Sequence, residues 1–292
     1  MSGRYPDWAT DGADWPNRAA SRFVAAGGYN WHVQDMGSGP VCLLIHGTGA
    51  ATHSWRDVLP LLARTHRVIA FDLPGHGFTR PNHGERATLD GMARGVAALL
   101  AALDVTPAII TGHSAGAAIA LQLTLDRGWR TPVVGFTPAL MPFPGLAAKL
   151  FPSLAKILFT NPFVAIIFAR LASGGGETER FLARATGSRI DPMGARYYQR
   201  LFSKSGHCDS TIRMMANWRL EPLRDRLGEV AAPVLLLPAD RDSAIPQSAV
   251  LAAAARIPGC HTRTLPQLGH LAHEEDPAGA ADTIAAFHRE HA

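Results

Sequence analysis

Gly112-His113-Ser114-Ala115-Gly116 is the stretch that decides the fold. It fits the pattern G-x-S-x-G. It follows an apolar run over residues 107–111 and opens a run of small residues, Ala115, Ala117, Ala118 and Ala120. The pattern predicts a buried strand, a sharp turn and then a helix reaching about residue 126. In such a turn the serine takes strained backbone angles and its hydroxyl stands clear of the sheet edge. Glycines must flank it, because side chains there would strike the neighbouring strand and helix. The helix start behind the serine would lie beneath a developing oxyanion with its partial positive charge.

The residues on either side extend the same pattern. Residues 22–26 and 29–34 flank Gly27-Gly28 and read as a hairpin. Val41-Cys42-Leu43-Leu44-Ile45 is apolar at every position, as a strand buried on both faces must be, and it ends in His46-Gly47-Thr48-Gly49. Residues 67–71 repeat this and end in Asp72-Leu73-Pro74-Gly75-His76-Gly77. Residues 88–103 have helical spacing, with Leu89, Met92, Val96, Leu99, Leu100 and Leu103 on one side, and residues 132–136 are a further strand. Strands alternating with helices indicate an α/β chain with a mostly parallel sheet covered on both faces. The alternation stops over residues 138–221, where the patterns are helical with proline and glycine punctuation. It resumes with a strand at 233–237, a helix at 248–257, a strand at 260–265 and a last helix opened by Asp276-Pro277. The expected organisation is a core from residues 1–137 and 222–292, with a helical cap inserted over 138–221.

A serine hydroxyl is a poor nucleophile without a base, and the base needs an orienting acid. Behind a G-x-S-x-G elbow the chain order should be serine, acid, histidine. Asp240 and Asp242 follow the strand at 233–237, and Gly269-His270 follows the strand at 260–265. Both positions lie just past strand C-termini, where sites form in open α/β sheets. Asp242, four residues before Pro246, is favoured as the acid, with Asp240 as the alternative. His270 is favoured as the base over His273. Ala115 and Thr48 are the expected backbone donors of an oxyanion hole, with Gly49 as the alternative to Thr48. His46 reads as a structural histidine of that loop. The spacing of His270, His273 and Glu274 would also permit a metal, but no metal and no cofactor is expected.

Composition narrows the function further. The chain has 292 residues, 47% of them hydrophobic and 18% charged, which excludes a disordered protein. The formal charge is +4, yet no run of basic residues suggests a nucleic-acid partner. Three cysteines are too few for a disulfide framework, and with no signal peptide in the polar N-terminus the expected location is cytoplasmic. The longest apolar stretch, residues 157–169, is interrupted by Asn161-Pro162 and is too short to span a bilayer; helices of the cap are expected there, with peripheral membrane contact as the alternative.

With these motifs in order, the chain resembles the α/β-hydrolases over nearly its whole length. Longer stretches sharpen this. Asp14-Trp15-Pro16-Asn17-Arg18, Trp31-His32-Val33-Gln34, the segment from Thr48 to Asp57, Gly269-His270-Leu271-Ala272-His273-Glu274-Glu275 and Met214-Met215-Ala216-Asn217-Trp218 resemble the BchO-type accessory proteins of magnesium chelatase in bacteriochlorophyll synthesis. The resemblance implies a role beside magnesium insertion in photosynthetic pigment synthesis, with magnesium-chelatase subunits as partners. One departure is Thr137-Pro138, where an Asn-type polar residue is expected.

The cap is rich in Phe, Tyr and Met, which suits a large apolar ligand such as a tetrapyrrole or its ester. His113, Phe143, Met214 and Trp218 are the candidate substrate contacts. Arg196, Arg200 and Arg213 either bind propionates or form solvated helix surface. Two functions follow: a serine hydrolase acting on an apolar ester, or a non-catalytic porphyrin-binding or chelatase-docking protein on a hydrolase scaffold.

Overall fold

The apolar runs become the middle of one eight-stranded sheet. The computed structural model describes residues 4–80, 87–142 and 176–292. The strands are β1 (Ser21–Ala26), β2 (Tyr29–Met36), β3 (Val41–Ile45), β4 (Arg67–Phe71), β5 (Ile109–His113), β6 (Val133–Phe136), β7 (Val234–Leu237) and β8 (His261–Thr262). Their order is β1-β2-β4-β3-β5-β6-β7-β8. The hairpin β1–β2 is antiparallel and β2 joins β4 antiparallel; every later pair is parallel.

Alternation within the runs explains why every position had to be apolar. In β3, Leu43 and Ile45 enter one core cluster, while Cys42 and Leu44 enter the other; β4 divides the same way, with Ile69 and Phe71 against Val68 and Ala70. One cluster is completed by helices α2 (Leu89–Ala102) and α3 (Ala115–Arg127), the other by α1 (Val58–Leu62) and the C-terminal helix Pro277–His291. Each fully buried Leu or Ile contributes roughly 1.5–3 kcal/mol, so a polar residue in these runs would be costly on either face. Caps fall where the sequence places them. The Thr88 hydroxyl accepts from Gly91 N–H at the start of α2, and the Asp276 carboxylate accepts from Gly279 N–H before the last helix.

Two strand expectations are corrected. The strand expected at 107–111 is Ile109–His113, because its pairing with β6 continues to His113↔Phe136 and the turn begins only at Ser114. The strand expected at 260–265 is only His261–Thr262 with an isolated bridge Ala239↔Leu265. It is the sheet edge, both residues are exposed, and a short edge limits unwanted pairing.

Between β6 and β7 the described elements are helices: α4 (Glu177–Thr186), α5 (Pro192–Phe202), α6 (Ser205–Asn217) and α7 (Glu221–Arg226). Leu182, Tyr198, Phe202 and Cys208 pack on Ala50 and Leu271, one from each loop expected to carry the chemistry. The stretch 157–169 and the candidate contact Phe143 lie outside the described residues. Among the described residues, no helix is long and apolar enough to cross a membrane.

Candidate active site

Ser114 stands between β5 and α3 with φ 52° and ψ −116°, a conformation that β-carbons resist. The turn holds because its flanks are glycine. A Cβ on Gly112 would lie 2.4 Å from the Ala117 nitrogen, and one on Gly116 would lie 2.2 Å from the Ile45 carbonyl oxygen. Ser114 N–H donates to the Phe136 carbonyl at 3.0 Å, which ties the turn to the end of β6.

Asp242 and His270 meet from two loops at the same sheet edge. His270 Nδ1 donates to Asp242 Oδ2 at 2.8 Å; the side chains are 10% and 1% exposed. The other oxygen of Asp242 accepts from Ala244 and Ile245 N–H at 2.7 and 2.8 Å, so the carboxylate is fixed by donors on both oxygens. The alternative acid, Asp240, is exposed. The alternative base, His273, is fully buried, with Nε2 2.7 Å from Ser54 Oγ. Glu274 accepts from Ser54, Arg56 and Tyr198, so neither residue is arranged as a metal ligand. Among the described residues the Ser114 hydroxyl and His270 Nε2 have no hydrogen-bond partner; such bonds often tighten only once substrate is bound.

The backbone of His270 is held on both sides. Its N–H donates to the Thr186 carbonyl at 2.8 Å. Its carbonyl accepts from His113 Nε2 at 2.9 Å and from the Thr137 hydroxyl at 2.7 Å. His113, expected as a substrate contact, is therefore a buried strut between the Ser114 turn and the His270 backbone. Burial lowers its pKa well below the ordinary histidine value, and His273 and His270 beside it add to the effect. Thr137 itself lies at φ 41° and is fully buried. Ser188 Oγ accepts from Leu271 N–H at 2.8 Å. Thr137, Thr186 and Ser188 were not foreseen as site residues; only the departure at Thr137-Pro138 gave a signal.

The loop after β3 is equally determined. His46 Nδ1 donates to the Gly47 carbonyl at 2.7 Å and its Nε2 accepts from Leu73 N–H at 2.9 Å, the structural role expected of it. Met214 is fully buried with its sulfur 3.7 Å from the Thr48 hydroxyl, while Trp218 is half-buried and its indole N–H has no partner among the described residues. Two of the arginines considered for propionates are already engaged: Arg200 with Asp14 and Arg213 with Asp209. Arg196 is exposed.

A strained serine after the fifth strand, a histidine–aspartate pair at the same edge and this strand order define a class. The chain belongs to the alpha/beta hydrolase family, whose sequence profile matches residues 42–283. More particularly, it is 42% identical to the magnesium-chelatase 30 kDa subunit of Rhodobacter capsulatus, over 93% of this chain and 95% of that protein. Among solved structures it resembles a bacterial membrane phospholipase A (TM-score 0.76, 23% identity, 92% of this chain and 86% of that one). It also resembles a meta-cleavage product hydrolase from Pseudomonas fluorescens IP01 (TM-score 0.75, 21% identity, 92% and 97%). Those two likenesses concern the fold alone.

Proposed function

We propose that the chain is a serine hydrolase that cleaves an apolar ester. The observation that carries this reading is the buried His270–Asp242 pair at 2.8 Å, at the sheet edge where Ser114 occupies its strained turn. Ser114 Oγ attacks the ester carbonyl carbon while His270 Nε2 takes its proton. Asp242 holds the imidazole by Nδ1 and stabilises the imidazolium. The Thr48 and Ala115 N–H groups receive the oxyanion. His270 then returns the proton to the leaving alkoxide, and water releases the acyl group by the same steps in reverse order. The insertion over residues 138–221, whose described elements are helices, serves as the cap that selects the substrate. The Phe, Tyr and Met content of that insertion supports a large apolar ligand. The engaged arginines favour a neutral ester, such as an esterified tetrapyrrole, over free propionates.

The name of the Rhodobacter capsulatus relative supports placing this reaction beside magnesium chelation, and the resemblance of the motifs places that in bacteriochlorophyll synthesis. It also supports a second reading, in which the chain docks on chelatase subunits without catalysis. Ser114→Ala separates the two. The native protein should be labelled by a fluorophosphonate and hydrolyse p-nitrophenyl esters, and the variant should do neither. In a pigment-forming host lacking the gene, the folded variant should fail to restore pigment. Restoration would overturn catalysis and leave docking.

A further inference from the structure

One face of α6 is applied to the loop expected to hold the oxyanion. His207, Thr211 and Met214 recur at i, i+4 and i+7 and so form a single stripe. His207 Nε2 donates to the Gly49 carbonyl at 3.1 Å, and its Nδ1 accepts from Gly77 N–H at 3.2 Å. The Thr211 methyl lies 3.5 Å from where a Cβ on Gly49 would stand. Met214 Sδ accepts from the Thr48 hydroxyl at 3.7 Å. Thr48 is thus held at its side chain by Met214 and at the following residue by His207.

We propose that His207 is a positioning residue for the oxyanion hole: through it, α6 sets the Thr48–Gly49 turn and so the aim of the Thr48 N–H. This rests on the serine-hydrolase reading. Gly49 lies at φ +81°, and glycine has no side chain to hold the loop there. The Ala50 N–H closes this turn on the Gly47 carbonyl at 3.2 Å, and His207 adds a second bond, on the Gly49 carbonyl, from a helix of the insertion. The aim of the Thr48 N–H is therefore fully set only with α6 seated, which couples substrate enclosure to catalytic competence.

The tautomer is dictated by its partners. One nitrogen faces a carbonyl and the other faces an N–H, so only the neutral Nε2–H ring fits both. Burial brings the pKa of His207 down to about 4; His46 acts the same way, while the Gly49 carbonyl and Asp72 oppose it. The His76 ring lies 5.4 Å away, and its own Nδ1 donates to the Pro74 carbonyl; the Phe202 ring closes the other side at 6.2 Å.

The test compares native protein with His207→Phe and His207→Gln. Rates of p-nitrophenyl ester hydrolysis are normalised to serine titrated by fluorophosphonate, which removes the effect of unfolded molecules. For His207→Phe, kcat per site should fall about 10- to 100-fold with KM within about twofold, the size of a misdirected oxyanion donor. His207→Gln keeps a donor and an acceptor and should recover most of the loss. Native kcat per site in His207→Phe would overturn the proposal. If that variant does not fold, imidazole nitrogen NMR of the native protein decides: a charged ring or the Nδ1–H tautomer at neutral pH refutes it. Absence of labelling in the native protein would instead remove the serine-hydrolase reading, and the NMR measurement would still test the clamp.

Discussion

Two serine–histidine–aspartate arrangements share this fold. In one, His270 Nδ1 lies 2.8 Å from Asp242 Oδ2 near the Ser114 turn. In the other, His32 Nδ1 lies 2.8 Å from Asp72 Oδ2, and His32 Nε2 lies 3.0 Å from Ser21 Oγ. By hydrogen-bond geometry the second is the more complete. The difference lies elsewhere. Ser21 has ordinary extended angles (φ −83°, ψ 137°), and its hydroxyl also accepts from Gln34 Nε2 at 3.2 Å. His32 and Asp72 have fully buried side chains, and Asp72 further accepts from Thr52 and Phe78 N–H at 2.7 and 2.9 Å. Every polar capacity there is used within the protein. At Ser114 the backbone is strained, and among the described residues the serine hydroxyl and the imidazole Nε2 have no partner. A reactive arrangement needs unspent hydrogen-bonding capacity facing a space; a structural one spends all of it.

Asparagine at the two aspartates should divide the roles most sharply. Asp242→Asn should lower kcat about 10⁴-fold by favouring the wrong imidazole tautomer, with only a small change in melting temperature, since the Oδ1 acceptor for Ala244 and Ile245 remains. Asp72→Asn should do the opposite. Burial opposes its charge, but His32, His46 and the Phe78 N–H together hold its pKa well below the usual carboxylate range. Removing that charge should destabilise the fold by about 4 kcal/mol, in the range for breaking a buried pair. Calorimetry and per-site kinetics on both variants check this. If Asp72→Asn lost as much activity per site as Asp242→Asn, the division would collapse.

The same distinction governs what could be read from the residues in order. Ser114 was legible because its turn constrains neighbours in sequence, Gly112 and Gly116. Asp242 was preferred to Asp240 by its offset from Pro246, and burial follows that preference. The two-faced strands β3 and β4 were legible because burial on both sides leaves no polar position. What escaped is non-local. His113 and Thr137 reach the same carbonyl only because β5 and β6 lie in register at His113↔Phe136. His32 meets Asp72 across the β2–β4 junction, about 40 residues apart in the chain. An imidazole in a strand reads as a core histidine whether it is a strut or an orphan. Nothing in its neighbours tells which partner the topology will bring.

Acid should weaken the buried-histidine region without titrating Asp72. Burial lowers the pKa of His46, His76, His113, His207 and His273 below the ordinary value in the folded state. The unfolded chain binds more protons than the folded one as pH falls through about 6.5, so stability present above that value is lost below it. From pH 7 to pH 6 the five groups together should cost a few kcal/mol, on the order of 3. Asp72 has a lowered pKa, so its stabilisation persists over this window and fades only in stronger acid. Urea midpoints at pH 7 and pH 6 measure the drop. A flat profile would mean that these rings are not neutral struts.

Ser21→Ala should have the smallest effect and bears most directly on the comparison. Its hydroxyl is the last member of the structural arrangement, at the start of β1 and only partly covered. Losing one hydrogen bond there should cost about 1 kcal/mol and lower the melting temperature by a few degrees. Activity per titrated Ser114 should stay within about twofold of native. There is nevertheless a physical route by which it could change. Ser21 touches His32, His32 holds Asp72, and the other oxygen of Asp72 holds Thr52 N–H, four residues beyond the proposed oxyanion donor Thr48. If the loop were soft, loosening Ser21 would travel along that chain and kcat would fall. The Asp72 bonds to Thr52 and Phe78 do not depend on Ser21, and His46 and His207 hold the loop from two further directions. Redundant restraint of this kind should absorb the change. A tenfold fall in kcat per site would show instead that the two arrangements act as one coupled unit.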